Sequence, residues 1–520
     1  MSLALAATTA LLAGFISLSY EILWYRAFSY ASGGPPFVFG YLLFYFLIGL
    51  AAGALASRRF CASSRGVGDP ALLRRLATLV LLANLAGFVV VPALARLATT
   101  AGWQFALPLV AVAAGLWGGV LPLASHFAIA PDAESGRHAS YVYVANIIGS
   151  VAGCLLTGFA LMDAWSLAHI ALLLVLLGLG LSAALVVLGG GTRRVPMLGL
   201  LAAAGIVSAL VTEPLFDQLW ERLFYQRAFN AGTRFAETVE SRSGVINVSQ
   251  SGEVFGGGVY DGVFSTDLVN DRNMIVRGYA VSALHPAPHE VLVVGLSGGA
   301  WAQALANMPG VERVTIVEIH PGYLPLIARH APVASLLHNP RVEIVIDDAR
   351  RWLTKHPERR FDVVVANISF HWRAHATNLL SEEWMQLVRQ HLRAGGIYLF
   401  NTTDSPDAFV TAFTTFPHGL RLINFAVVSD SPIQLDLPRW RQALLAERID
   451  GRPVLDSTSA RDRGALERLL ALGRTVDSTP RWMGMERGES VLKRLAGRGE
   501  LVTDDNMRPE WHPAGAGSPR

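Results

Sequence analysis

The chain has 520 residues, of which 52% are hydrophobic and 16% charged, and its formal net charge is +3. Ordinary soluble domains carry about 25% charged residues, so this composition excludes a disordered, collagenous or disulfide-framework protein and argues against a wholly soluble one. Length alone sets a soft expectation of about three domain equivalents.

The charge is unevenly spread. Residues 1–212 hold five acidic residues and ten arginines, whereas residues 213–520 hold the other 68 charges and are net negative. The arginine excess lies between apolar stretches, so it gives no reason to expect a nucleic-acid partner. Cys61 and Cys154 are the only cysteines and both lie in the apolar half, which leaves the second half without a disulfide framework or a cysteine zinc site. The N-terminus lacks a basic leader region and its apolar run continues past Leu12, so no cleaved signal peptide is expected.

A helix needs about 20 mostly apolar residues to cross a bilayer. Seven segments qualify as candidates, at roughly 3–28, 37–57, 76–98, 103–130, 139–162, 166–189 and 196–212. The last is the shortest and weakest. Gly33-Gly34-Pro35-Pro36 breaks the first two apart. Glu21 and Arg26 lie in the first span, where charges are costly and mark function or a buried pair; the plainer expectation is that both snorkel beside Tyr20, Trp24 and Tyr25 at the interface. Gly149 and Gly153, beside Asn146, suit a close helix-packing face. No internal repeat points to a transporter built from two halves.

Residues 213–236 form an amphipathic connector. The pattern then turns to strands, with a small β-hairpin subdomain over 237–270 carrying turns at Gly256-Gly257-Gly258 and Asp261-Gly262. A helix over 271–284 leads to His285-Pro286. From Val291 a strand–helix rhythm sets in. Val291–Val294, Val314–Val317, Val342–Ile346 and Phe361–Ala366 read as four buried strands. Continuous apolar runs of this kind suit a parallel sheet covered by helices on both faces. Gly395-Gly396 reads as a turn into a fifth strand, Ile397–Phe400. Beyond Pro438 the signals are helical and weak.

Open α/β sheets bind ligands at the carboxyl ends of their strands. There the sequence offers the glycine-rich turn Gly295-Leu296-Ser297-Gly298-Gly299, then Glu318 after the second strand, then Asp347-Asp348-Ala349 after the third. A glycine turn admits close backbone approach, an acid some 20 residues on grips ribose hydroxyls, and a third acid accepts from an adenine amino group. Together they fit a nucleoside.

These residues, with Val317-Glu318-Ile319-His320-Pro321, Asp347-Asp348-Ala349-Arg350 and Phe361–Val365, resemble the spermidine synthase (polyamine aminopropyltransferase) family over about 237–410. Tyr20-Glu21-Ile22-Leu23-Trp24 and Thr503-Asp504-Asp505-Asn506 resemble its membrane-fused branch. The resemblance implies a Rossmann-like class I methyltransferase fold over 286–511 behind a multi-span helical membrane domain over 1–212. It also implies decarboxylated S-adenosylmethionine as co-substrate and an amine as acceptor, with Glu318 holding the ribose and Asp348 the adenine.

The departures from the family pattern fall at the acceptor side. Gly298 stands where the family has an aspartate, Asn367 where it has a basic acid after the fourth strand, and Phe370 where a second acid follows. In their place comes a polar loop, Ser369 to Asn378. Within it His371 and His375 are candidate bases or substrate contacts, and Ser369, Trp372, Arg373 and Asn378 are candidate contacts. Their i, i+4 spacing would also permit a metal pair on a helix, although no metal is expected. Asp261 is a further candidate, and Asp504 and Asp505 are either a local turn or acids completing the site. Gly298 removes a carboxylate that would repel the carboxylate of intact S-adenosylmethionine, by roughly 4 kcal/mol for charges about 4 Å apart at an effective dielectric near 20. The intact nucleoside is therefore expected to be preferred.

The leading expectation is a membrane-anchored alkyl transferase using S-adenosylmethionine or its decarboxylated form and a small-molecule acceptor. The alternatives are a methyltransferase, lyase or cyclase on the same ligand, and a non-catalytic nucleoside sensor or transport regulator. A homo-oligomer is left open. The arginine-bearing loops 58–75, 131–138 and 190–195 belong in the cytoplasm by the positive-inside rule, which with seven crossings puts the soluble half outside. Sulfonium nucleosides are made in the cytoplasm, so the soluble half is expected there, with 196–212 failing to cross the cell membrane.

Overall fold

The computed structural model describes residues 2–63, 67–368, 370–477 and 484–511. Ser369 and the tail from His512 to Arg520, expected to be disordered, lie outside the described residues. The chain forms two compact units, Met1–Val245 and Ile246–Arg520.

Among the described residues, the first unit contains seven helices long and apolar enough to cross a membrane: Leu3–Ser32, Phe37–Ala62, Pro70–Thr100, Trp103–Ala128, Ser135–Ala164, Leu167–Gly189 and Arg194–Phe216. Gly33 and Gly34, both at positive φ, make the break after the first. The expected packing face at Gly149 and Gly153 is present. A Cβ at either would run into the carbonyl of Leu11 or Phe15 on the first helix, and Asn146 Nδ2 donates to Ala10 O at 3.0 Å. Backbones approach this closely only where both residues are small.

Two expectations are corrected here. Arg26 does not simply snorkel: it is half-buried, and its guanidinium donates to Ser241 O at 2.6 Å and Arg242 O at 2.8 Å. Glu21, 9% exposed, forms no ion pair with it among the described residues. The seventh helix is also longer than its apolar core suggests. It begins at Arg194 and continues through Pro214 to Phe216, 23 residues in all, about 35 Å at 1.5 Å per residue. Length therefore gives no reason for it to stop short of crossing, and the expectation of a cytoplasmic soluble half loses that support.

The second unit opens on a strand shared with the first, β2 (Gly244–Val248), which pairs antiparallel with β3 (Glu253–Gly256); β1 (Glu237–Ser241) precedes it, and β3 pairs with β4 (Val259–Val263). The expected helix over 271–284 is two short ones, Val276–Tyr279 and Val281–Leu284. The main sheet contains β5 (Glu290–Val294), β6 (Arg313–Glu318), β7 (Val342–Ile346), β8 (Phe361–Ala366), β9 (Leu392–Asn401), β10 (His418–Leu422) and β11 (Phe425–Ser429). Arg448–Ile449 and Arg452–Pro453 form a separate ribbon (β12, β13), and β14 (Met485–Arg487) closes the far edge. The order is β14-β10-β11-β9-β8-β5-β6-β7.

Strands β7, β6, β5, β8 and β9 run parallel, and β11, β10 and β14 add antiparallel pairs. This is a Rossmann-like class I methyltransferase arrangement. Chain order reverses between β5 and β8, so the loops leaving these two strands flank the switch point where such sheets bind ligands. Every residue of β8 is buried, as its unbroken apolar run requires. Trp352, Trp384, Tyr398 and Phe400 fill one covering layer.

Crossing by all seven helices would put residues 1 and 217 on opposite faces of a membrane. Reporters fused at the N-terminus and after Asp217 are expected to respond on opposite faces of the membrane; the same face for both would mean that one of the seven helices does not cross.

Candidate active site

The loop leaving β5 is held by three features. Gly295 (φ 85°) donates its N–H to Val317 O at 2.9 Å, tying it to β6. Gly299 (φ 77°) starts the helix Ala300–Asn307. Ser297 also sits at positive φ (48°), unusual for a side chain with a Cβ, and its hydroxyl donates to Asp261 O at 2.7 Å. Gly298 needs no left-handed backbone; a Cβ there would meet the Phe264 ring at 3.3 Å, and that ring stacks on His330.

Glu318, at the end of β6, is 4% exposed. Its oxygens accept from Leu296 N at 2.5 Å and His320 N at 2.7 Å. Burial pushes its carboxyl up to about 7, against the pull of these amides. Asp347 is tethered by its own N–H to Glu318 O at 3.1 Å and pairs with Arg351. Asp348 caps the helix Ala349–Lys355, accepting from Arg351 N at 2.8 Å, so one of its oxygens is committed to the cap; Ala349 is buried behind it. Sequence reasoning missed two neighbours. Ile319 and Ile346 are 63% and 44% exposed, and Ile346 is in register with Glu318. Both are large aliphatic side chains left exposed at the strand ends next to Glu318.

On the other side of the switch point lies a cavity of about 260 Å³. Asn367 and Ile368 after β8, Asn401, Thr403 and Asp404 after β9, and Asn424 line one wall; Tyr260, Asp261, Asn273, Arg272 and Arg277 line another. Of the residues expected on the acceptor side, Asn367 and Asp261 are brought here. Asp261 is half-buried and takes the Tyr323 hydroxyl; burial raises its pKa. Arg373 donates to Gly256 O at 3.2 Å, with its charge beside Asp261.

The rest of the expected set is dispersed. His371 donates its amide to Thr403 Oγ1 at 3.0 Å, and its Nδ1 lies 2.7 Å from the same oxygen; burial lowers its pKa. His375 is exposed and its amide is held by Glu510 at 3.0 Å. Residues 371–375 form turns rather than a helix, so the i, i+4 metal geometry does not arise, and among the described residues no cluster suited to a metal occurs. Trp372 stacks on Phe370 at 5.6 Å, and Asn378 donates its amide to His375 O. Asp504 pairs bidentately with Arg350, and Asp505 sits in the adjoining turn; neither lines the cavity. Asp404, overlooked in the sequence, supplies the carboxylate that the loop after β8 lacks. Burial raises its pKa, and the nearby Arg421 and Arg277 moderate that shift.

The strand order defines an α/β unit of the class I methyltransferase type. Residues 273–409 match the family model described as the spermine/spermidine synthase domain. It is 29% identical to polyamine aminopropyltransferase 2 of Streptomyces coelicolor, over 54% of this chain and 54% of that protein. It is 31% identical to the polyamine aminopropyltransferase of Mycobacterium tuberculosis, over 31% of this chain and 32% of that one. The chain thus spans about half, or less, of the length of these curated relatives. A crystal structure of spermidine synthase in complex with the transition state analogue AdoDATO aligns with a TM-score of 0.36 at 16% identity, covering 46% of this chain and 85% of that one.

Burial pushes the Glu318 carboxyl up to about 7, so a nucleoside held by its ionised form should bind more tightly as pH rises from about 6 to about 8. Calorimetry with methylthioadenosine is expected to show that rise and its disappearance in Glu318→Gln. Glu318→Ala should weaken binding by about 1.5–3 kcal/mol; unchanged affinity would remove Glu318 from the nucleoside site.

Proposed function

We propose that the protein is a membrane-anchored alkyl transferase of the aminopropyltransferase type that uses an S-adenosylmethionine-type sulfonium nucleoside. The observation that carries this reading is the convergence at adjacent parallel strand ends of the Gly295–Gly299 turn, the buried Glu318 carboxylate and the Ile319/Ile346 platform. A polar cavity opens across the switch point. In this reading Glu318 grips the ribose, Ile319 and Ile346 flank the base, and Asp347, Asp348 and Ala349 border its edge. The sulfonium chain then points toward the cavity. Transfer of a carbon chain to an amine requires that the amine be uncharged, so a base must hold its proton. Asp404 takes that role: it lines the cavity, and burial raises its proton affinity. Asn367 has no basicity to offer, and His371 serves to fix Thr403.

Incubation of the purified protein with labelled nucleoside, followed by chromatography, tests the reaction class. Methylthioadenosine is the expected product; S-adenosylhomocysteine would mean methyl transfer, and no product would favour a sensor. Asp404→Asn should lower kcat by about 100-fold, the low end for loss of a general base, and an unchanged kcat would reject that role.

The absence of an aspartate at Gly298 favours a sulfonium tail that retains its carboxylate. The Phe264 ring packed against Gly298 also supports this, since it leaves no room for a larger residue without movement. Side-by-side titration is expected to give tighter binding of intact S-adenosylmethionine than of the decarboxylated form. The reverse order would restore plain aminopropyl transfer.

A further inference from the structure

The cavity wall contains a directed chain of side-chain amides. Arg277 Nη1 donates to Asn424 Oδ1 at 2.5 Å, Asn424 Nδ2 donates to Asn401 Oδ1 at 3.1 Å, and Asn401 Nδ2 donates to Asn367 Oδ1 at 3.2 Å. The orientation of an asparagine amide is fixed by its partners, and a guanidinium or a backbone N–H is only ever a donor. Two such donors set this chain. Arg277 fixes Asn424, and Thr403 N, donating to Asn401 Oδ1 at 2.9 Å, independently fixes Asn401. Turning Asn401 over would set its NH2 against two donors and its oxygen against the oxygen of Asn367.

Arg277 is itself immobile. It is 6% exposed, lies over the rings of Trp301 and Phe425, and donates to Met274 O and Asn273 O as well. Burial lowers its pKa only to about 10, so it stays a cation at neutral pH. The Asn367 oxygen is thereby turned toward Asn401, which leaves its NH2 as the group directed toward the cavity that Asn367 lines.

We infer that this relay holds Asn367 as a hydrogen-bond donor, and that the acceptor substrate presents a carboxylate or carbonyl oxygen to it rather than an ammonium. This rests on reading the cavity as the acceptor pocket of the proposed transferase. An ammonium has three donors and no lone pair, so it finds no partner at the Asn367 amide. An amine elsewhere on the same molecule is served by Asp404. The substrate class is a small molecule carrying both an amine and a carboxylate or carbonyl oxygen.

The test compares two ligands of equal chain length, 4-aminobutanoate and 1,4-diaminobutane, titrated calorimetrically into the full chain in detergent. The wild-type protein is expected to bind the amino acid at least about tenfold more tightly, the worth of one hydrogen bond to a charged group. Asn401→Asp keeps the shape but cannot donate to Asn367, which then turns its oxygen to the cavity; the preference should fall by about tenfold or invert. Asn367→Asp should invert it directly, and it decides the matter should the other variant unfold. Tighter binding of the diamine by the wild type, no binding of the amino acid, or an unchanged ratio in a folded variant would each overturn the inference. Methylthioadenosine is titrated in parallel. Its failure to bind while the amino-acid preference persists would sink the transferase reading and leave the relay standing.

Discussion

The nucleoside side of the site hangs on one buried carboxylate. Glu318 joins the loop after β5 to the loop after β6 by accepting from an amide of each. At 4% exposure that arrangement opposes two large terms, the cost of burying an anion and the gain from fixed amide donors. Burial outweighs the pull of the amides and pushes the carboxyl up to about 7. The same contacts fix the position of Leu296, hence of the turn that carries Ser297 and Gly298. A change at Glu318 therefore disturbs both the proposed ribose contact and the loop around it, and the isosteric glutamine, which keeps one oxygen acceptor, separates the two better than alanine.

The acceptor side is organised on the opposite principle. A buried cation, not an anion, anchors it. Arg277 is stacked on two rings and satisfied by carbonyls, and its spare donor capacity is passed through three asparagines to the cavity. Neutral amides transmit direction without adding charge, so a donor can stand at Asn367 without a second cation being buried there. Asp404, held at φ 62° in the loop after β9, faces the same space from a different segment. A pocket with a fixed donor at one point and a protonatable carboxylate at another discriminates by the polarity of the ligand's ends.

The sequence disclosed the parallel core and the nucleoside edge because both are local. Strands β5 to β8 are short apolar runs ended by the very residues that face the ligand, so strand and site are read together. The acceptor wall is not local. Asn401, Asp404 and Asn424 come from β9 and the connections beyond it, and their convergence depends on β11 pairing antiparallel with β9, Phe425 opposite Asn401. Neither β10 nor β11 shows a distinctive pattern, and Gly395-Gly396 suggests a turn before Ile397, whereas β9 runs through these glycines from Leu392. The loop 370–378 is dense in polar residues, yet Glu510 takes only the backbone amides of His375 and Thr377, while the side chains of His371 and Arg373 go to Thr403 and to Gly256 O.

The division of the chain follows the same logic of buried polar groups. Hydropathy alone places the end of the membrane domain near Thr212, but the first compact unit runs to Val245. The difference is made by hydrogen bonds to β1. Arg26 donates to the carbonyls of Ser241 and Arg242. Glu240 accepts from Trp220 Nε1 at 3.0 Å and from Leu167 N at 2.8 Å, the first turn of a long helix where backbone donors lack partners. Arg242 N donates to Asp163 at 2.8 Å. Burial raises the pKa of Glu240, and the Leu167 amide, Trp220 and Arg26 oppose that shift. A charge near membrane depth is tolerated when backbone or a partner satisfies it, and here the satisfaction comes from a strand nearly 30 residues beyond the last apolar span. Arg26 is thus explained by residues 241 and 242 rather than by Glu21, a pairing that no local reading of the first helix reveals.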